Sequence, residues 1–471
     1  MPHVSSGSVS LSLAMLLLYV ALQLGVGMYV SRRVRTEDDY LVAGRSLGPL
    51  LATSSVFATW FGAETCVGAA GQVYEHGPSA VSADPFGYGV CLVLMGMLLA
   101  GPLWRRSVIT LADLYRQRYS RTVERTVAIL LIPGSILWAA AQIRAFGTVV
   151  AATGGFSPEL GMLVAIVIVL VYTSTGGMLA DAWTDVLQGG VLVAALVTLL
   201  VVALPDVPTL LDQWPTAAQS EPHGAWVTLN DWAIPIVGSL FSQELLMRIS
   251  SSSSARMARR SSIAAGLIYL VIGAIPVVLG LLGRMHVPGI EDPDAVLPAI
   301  TRHYLGELGF VILSGAIISA ILSTVDSALL ACGSLVAHNL LPDSLRKRSP
   351  KAPLRLARLS VVVLGIVAYG LAHGSDGVHE LVQESSAFGS TGLFVIGIMA
   401  LASRRGGRAG GAAAALCAIV GGLVSWMVLA HWLQSPVAYL GSLACAAGGY
   451  VVAMSIERRW PKREASATAE G

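Results

Sequence analysis

The chain has 471 residues, of which 55% are hydrophobic and 12% charged, with a mean hydropathy of +0.70. A soluble chain carries about a quarter charged residues, so this composition excludes a water-soluble globular protein and puts nearly all of the chain in a bilayer. The net charge of +2 says little about partners, because the charges are sorted by side of the membrane.

Five cysteines (Cys66, Cys91, Cys332, Cys417 and Cys445) lie inside apolar runs without C-x-x-C spacing. They read as small core residues, not as disulfides or metal ligands. The first apolar run, Ser8–Val30, is too long for a signal-peptide core, lacks a basic start and ends at Arg32–Arg33, so it is read as a membrane helix. A spanning helix needs about 20 apolar residues. By that measure the sequence holds thirteen intervals, at 9–30, 47–74, 82–103, 124–152, 158–176, 182–205, 227–248, 262–285, 308–340, 356–374, 378–402, 409–430 and 436–455.

Basic residues crowd alternate loops: Arg32 to Arg45, Arg105 to Arg125, Arg248 to Arg260, Arg346 to Arg358, Arg404 to Arg408 and Arg458 to Arg463. The intervening loops hold only Arg284 and Arg302. Positive charge marks the cytoplasmic side, so the N-terminus is expected outside and the C-terminus inside. Thr110–Tyr119 reads as an amphipathic helix on the inner surface, and Pro288–Tyr304 as a short external helix. The expected division is an extra N-terminal helix and inner loop (1–46), a five-helix repeat (47–206), an external connector (207–226), a second five-helix repeat (227–403), two C-terminal helices (404–458) and a disordered tail (459–471).

Along the chain, the second span carries Phe57-Ala-Thr-Trp-Phe-Gly-Ala-Glu64. A helix interrupted by Gly62 and a charged Glu64 is a poor continuous span, and broken helices are tolerated where their freed carbonyls line a cavity. The sixth span begins Tyr172-Thr-Ser-Thr-Gly-Gly177, a tight inner turn. It continues with Asp181, Thr184, Asp185 and Gln188 at i, i+3, i+4 and i+7, one polar face. Asp181 reads as a solvated helix start, whereas Asp185 and Gln188 point to function. The seventh span repeats the break with Gln243 and Glu244 among Phe241, Leu245 and Leu246. The two breaks fall in the first helix of each group of five. Five is odd, so the second group enters with opposite topology, the sign of an inverted repeat.

The ninth span is Leu308–Leu340, an apolar run with Ser319, Ser323, Thr324, Asp326 and Ser327 in its middle. Ala320, Ser323, Thr324 and Ser327 share one arc roughly 100° wide, with Ser319 and Asp326 at its edge. Hydroxyls and a carboxylate at mid-membrane must face protein or water. Oxygens so clustered suit a small hard cation such as Na⁺; interhelical hydrogen bonding is the alternative.

Tyr172–Gln188 resembles the signature of the sodium:solute symporter family, and Ala320-Ile-Leu-Ser-Thr-Val-Asp-Ser327 resembles that family's sodium-site helix. Within the family the chain is most similar to the choline-transporter-like branch, through Ala58-Thr-Trp60, Trp138-Ala-Ala-Ala141, Arg248 to Ala255 and Asp294-Ala-Val-Leu-Pro298. The resemblance implies an all-α membrane protein: thirteen transmembrane helices in a leucine-transporter-type five-plus-five inverted repeat, with one extra N-terminal and two extra C-terminal helices. It implies a sodium ion held by the backbone carbonyls of Ala58, Phe61 and Ala320 and the hydroxyls of Ser323 and Thr324. A second cation site would use Asp185, Ser323, Asp326 and Ser327. Asp326 replaces a hydroxyl of the family, so a proton is the alternative occupant there.

For the solute, the resemblance points to an aromatic cage matched by Trp60, Tyr88 and Trp138. The cage is incomplete, because the matching tryptophan of the seventh span is Ser242, beside Phe241 and Gln243. Aromatic faces attract cations. Arg144 is a lone guanidinium inside the fourth span that needs a partner, with Glu64, Glu244 and Glu384 available. Pairing with Glu64 makes it structural or gating; unpaired, it would clamp a solute carboxylate. The expected function is a sodium-coupled secondary importer of a small polar or cationic organic solute, choline- or betaine-like, an amino acid or a relative, with Na⁺ as coupling ion. The competing readings are a proton-coupled symporter using Asp185 and Asp326, and a membrane sensor, which would carry a fused cytoplasmic domain. The expected partners are the solute and the lipid bilayer of the cell membrane, with no enzyme chemistry and no nucleic acid. The sequence leaves the oligomeric state open.

Overall fold

The computed structural model describes residues 21, 25–26, 28–62, 64–77, 85–152, 157–210, 212, 224–349, 351–374, 378–402 and 410–459. Most of the expected first span, much of the 207–226 connector and the tail from 460 lie outside the described residues. Among those described, the backbone is helical, with no strand beyond one isolated bridge between Leu47 and Ser252. Among the described residues, nine helices are long and apolar enough to cross a membrane. Of the thirteen intervals read from the sequence, the other four are the first span, the two broken spans and the short apolar helix Pro158–Val171.

The chain enters through α1 (Glu37–Val42), capped by Thr36 and Asp39, and α2 (Pro49–Trp60). A π-helical turn, Glu64–Gly68, leads into α3 (Ala69–His76). Then follow α4 (Phe86–Leu94, continued to Arg105), α5 (Leu111–Arg118) and α6 (Arg121–Ala152). Helix α7 (Pro158–Ala203) bends at Gly177, whose φ of 59° and ψ of −168° suit a residue without a Cβ. Tyr40 of α1 wedges into that bend and donates its hydroxyl to the Thr173 carbonyl at 2.7 Å.

The second half of the chain begins with α8 (Ala225–Ala233) and α9 (Gln243–Ser251), separated by a π turn and a break at Phe241–Ser242. Helix α10 (Ala255–His286) leads to α11 (Val296–Leu335), bent at Gly306, where φ is 65°. That bend divides the short helix expected outside from the span itself. Helices α12 (Ala352–His373), α13 (Val378–Ala387), α14 (Ser390–Ala402), α15 (Ala412–Met427) and α16 (Ala438–Arg459) complete the chain.

Helix α11 is the axis of the molecule. It packs against α2, α6, α7 and α12, and its residues from Ala316 to Leu335 are all buried. Its hydroxyls and carboxylate therefore meet protein, as the cost of burying them in lipid requires. Helices α12, α15 and α16 form the outer wall and expose Val363, Ile366, Val420, Val424, Val451 and Val452, a surface suited to lipid. Two cysteines depart from expectation: Cys66, Cys91 and Cys332 are buried, but Cys417 and Cys445 are exposed on this wall.

At the end of α11 a polar clasp joins four elements. His338 Nδ1 lies 3.2 Å from Glu37 of α1, and its Nε2 lies 3.5 Å from Asp113 of α5. Asn339 donates to Asp113 at 3.0 Å and to Glu124 of α6 at 2.9 Å, and accepts from Thr110 at 2.8 Å. Burial alone would raise the Asp113 carboxyl, but His338, the Thr110 amide and Asn339 outweigh it and hold Asp113 below its ordinary value. The clasp therefore contributes stability above the ordinary carboxylate range, near about pH 4, and loses it as pH falls through the lowered value. Asp113→Asn is expected to lower the thermal midpoint of the detergent-purified protein at pH 7. It should also flatten the decline in midpoint seen when wild type is acidified below about pH 4.

Candidate functional site

The break in the second span sits against the middle of α11. Phe61 leaves the helical region with ψ at 67°. The freed Trp60 carbonyl accepts the Tyr269 hydroxyl at 3.0 Å, and the Gly62 amide donates to Glu64 Oε1 at 3.4 Å. From α11, the buried Thr324 hydroxyl lies 3.4 Å from the Ala58 carbonyl and 3.1 Å from the Ala320 carbonyl. Gln142 of α6 donates to Glu64 Oε2 at 2.8 Å. A Cβ added to Gly62 would lie 2.9 Å from Thr324 Oγ1, Glu64 Oε2 and Gln142 Oε1 alike. The break is thus lined by carbonyl, hydroxyl, amide and carboxylate oxygens, the donor set that a hard cation takes. Ser323, one residue back, is buried and donates to Asp185 Oδ1.

One turn further along α11 lies a cluster of charge. Asp181, Asp185 and Asp326 are all at most 1% exposed. Asp185 Oδ2 and both Asp326 oxygens have no hydrogen-bond partner among the described residues. Ser327 donates to Asp181 at 3.2 Å. Into this cluster runs Arg248 of α9, itself 0% exposed, whose Nη2 donates to Asp181 and to Ser327. Two expectations are corrected here. Asp181 is an interior residue, not a solvated helix start, and Arg248 belongs to the buried arm of a broken span, not to a basic loop. Charge counting along the chain assigns every arginine near a span end to the water. It has no means of seeing a carboxylate that only the fold brings opposite.

The aromatic residues come together beside the break. Trp60 and Trp138 have ring centroids 6.3 Å apart, and Tyr88 meets Trp138 edge-on at 6.0 Å while its hydroxyl lies 3.1 Å from Ser386 Oγ. A cavity of ≈60 Å³, room for about four to six waters, is lined by Trp60, Trp138, Phe241, Ser242, Glu244 and several serines. Of the other residues expected to touch solute, Gln243 is fully buried and committed elsewhere. It accepts the Leu111 amide at 2.7 Å and donates to Ser334 at 3.0 Å, tying α5 to α11. Glu64 faces Gly62 and Gln142, as above, and the charge of Arg144 acts on Asp294. Glu244, which the sequence reading placed at the second break and offered as a partner for Arg144 but not as a solute contact, lines the cavity with its carboxylate accepting from Ser135 at 2.5 Å. Its place two residues past the second break was the available signal.

Removing one partner of a buried ion pair strands the other charge, at about 3–5 kcal/mol, whereas removing both is often neutral. Arg248→Leu is therefore expected to lower the thermal midpoint sharply, and Arg248→Leu with Asp181→Leu to recover most of the loss. A double variant no more stable than the single would show the pair is not the tie.

The sodium:solute symporter family matches residues 40–422. Human high affinity choline transporter 1 is 26% identical over 408 residues, covering 79% of this chain and 69% of the relative. The sodium/proline symporter of Escherichia coli (strain K12) is 26% identical over 442 residues, covering 86% of each. Among solved structures, a Na⁺-coupled sialic acid symporter in a substrate-bound outward-open state superposes with a TM-score of 0.79 at 19% identity, covering 95% of this chain and 97% of that one. Mhp1, a nucleobase-cation-symport-1 family transporter, gives 0.62 at 15% identity over 89% and 95% of the two chains. These two likenesses are of fold. The similarity to choline transporters supports the choline-transporter-like branch. With more than three-quarters of its length matched, the chain belongs to the sodium:solute symporter family.

Proposed function

We propose that the protein is a sodium-coupled secondary importer of a small polar or cationic organic solute, working by alternating access in the cell membrane. The observation that carries this reading is the Thr324 hydroxyl beside the Ala58 and Ala320 carbonyls, where the second span unwinds. On this reading Na⁺ is held by the carbonyls of Ala58, Phe61 and Ala320 and the hydroxyls of Ser323 and Thr324. These residues belong to two halves of a five-plus-five inverted repeat within thirteen spans, and the N-terminus lies outside. Sodium favours the state in which α2 and α11 are drawn together, and it biases the equilibrium only through its differential affinity for the two states. The solute seat is the cavity walled by Trp60, Trp138, Phe241 and Ser242. Relatives named for choline and for proline are consistent with a small nitrogenous solute.

The experiment is uptake into proteoliposomes with and without an inward sodium gradient. Uptake is expected only with the gradient, and Thr324→Ala is expected to raise the half-saturating sodium concentration at least about tenfold, the effect of roughly one lost charge-assisted contact. Uptake indifferent to sodium in both proteins would end this reading. The unpartnered oxygens of Asp185 and Asp326 favour a second monovalent cation, beside the first. In that case the sodium activation curve of the wild type rises with a Hill slope above one, and Asp326→Asn returns it to one.

A further inference from the structure

Among the residues lining the cavity there is one carboxylate, Glu244, and no lysine, arginine or histidine. The carboxylate stands at the start of α9, two residues after the break at Ser242. Ser135 donates to one oxygen at 2.5 Å, and among the described residues no ion pair reaches Glu244. Arg248, one turn on along the same helix, commits its guanidinium to Asp181 and Ser327. The carboxylate stands in the first turn of α9, where the positive helix end offsets part of the cost of burying its charge. At the same end the Ser242 hydroxyl accepts the Leu245 amide at 3.4 Å and the Ser242 carbonyl accepts the Leu246 amide at 3.3 Å, so two of the helix's first amides are already occupied.

The remaining wall is aromatic and hydroxylic. Trp60, Trp138 and Phe241 present rings, whose faces are negative and attract cations. Ser239, Ser242 and Ser386 supply neutral hydroxyls. Trp60 also carries a buried indole N–H without an acceptor, a donor for a neutral oxygen on a solute. Among the described residues lining the cavity, the one charged side chain is therefore a carboxylate.

We propose that Glu244 sets the solute class of this chain: its carboxylate takes the positive charge of a small organic cation seated among Trp60, Trp138 and Phe241. A solute carboxylate meets no basic side chain among the described lining residues and would stand against Glu244, so zwitterions such as amino acids and betaines are disfavoured. This inference rests on the cavity being the solute seat of the proposed importer, and it narrows the solute that the importer takes.

The test uses full-length protein in detergent with sodium present and three matched probes. These are choline, its carboxylate-bearing counterpart glycine betaine, and its uncharged carbon isostere 3,3-dimethylbutan-1-ol, with ethanolamine as a smaller cation. A ligand stabilises in proportion to its concentration over Kd, so titrated thermal shifts rank the affinities. At least one cation is expected to bind about tenfold or more tightly than both the zwitterion and the isostere. Glu244→Gln is expected to lose that preference, and Glu244→Asp to keep part of it, with the ligand-free midpoint of each close to wild type. The inference is overturned if no cation binds wild type, if betaine binds as well as choline, or if Glu244→Gln leaves cation affinity unchanged. Sodium alone is a separate arm: absence of a sodium-induced shift in wild type would count against the importer reading itself, whichever probe binds.

Discussion

A helix that unwinds inside a bilayer frees amides and carbonyls that no water is present to satisfy, and each left alone costs several kcal/mol. The rest of this fold answers that constraint at the break after Trp60. Tyr269 caps the Trp60 carbonyl, Glu64 reaches back to the Gly62 amide, Gln142 steadies Glu64, and Thr324 stands beside the Ala58 carbonyl. Three helices, α6, α10 and α11, converge to stabilise one irregular turn. The convergence concentrates oxygen atoms, so one structural solution also supplies the donor set proposed above for sodium. α11 must be buried along its whole middle to supply this, and a sheath of outer helices follows.

The second break is satisfied differently. Ser242 caps α9 with its own side chain, and the buried arm that follows carries Gln243 to α5 and α11 and Arg248 to α7 and α11. An arginine taken out of water is stable only against a carboxylate and further acceptors, and Asp181 and Ser327 meet that need. Three carboxylates against a single guanidinium leave the cluster with excess negative charge when all are ionised. A cation or a proton would offset that excess, one turn from the break proposed to hold sodium.

The spans and their interruptions were legible because lipid imposes length and apolarity on a helix, and because Gly62, Glu64 and Gly177 are expensive residues with few reasons to stand where they do. The bend at Gly177, the break at Phe61 and the burial of Thr324 and Asp326 all lay within reach of that reasoning. The pairing of Arg248 with Asp181 did not. Its partners are 67 residues apart in sequence, and local charge statistics favour the wrong surroundings for both. Glu244 was seen as an intramembrane acid, but its exposure to a cavity depends on the serines and aromatics of α6 and α13, which no spacing rule connects to it. Gln243 shows the converse limit: polarity beside a break marks an important residue without saying whether its amide faces a solute or a neighbouring helix, and here it bonds Leu111 and Ser334.

The bridge at Leu47 acquires a mechanical meaning beside these features. Its amide donates to the Ser251 carbonyl and its own carbonyl accepts from Ser253, each at 3.0 Å, which sews the root of one interrupted helix to the foot of the other. Leu47 also shares a buried apolar cluster with Met247 of α9, so side-chain packing accompanies the two backbone bonds. The two interrupted spans are thereby fastened backbone to backbone at this end, although 204 residues separate Leu47 from Ser251 in the chain.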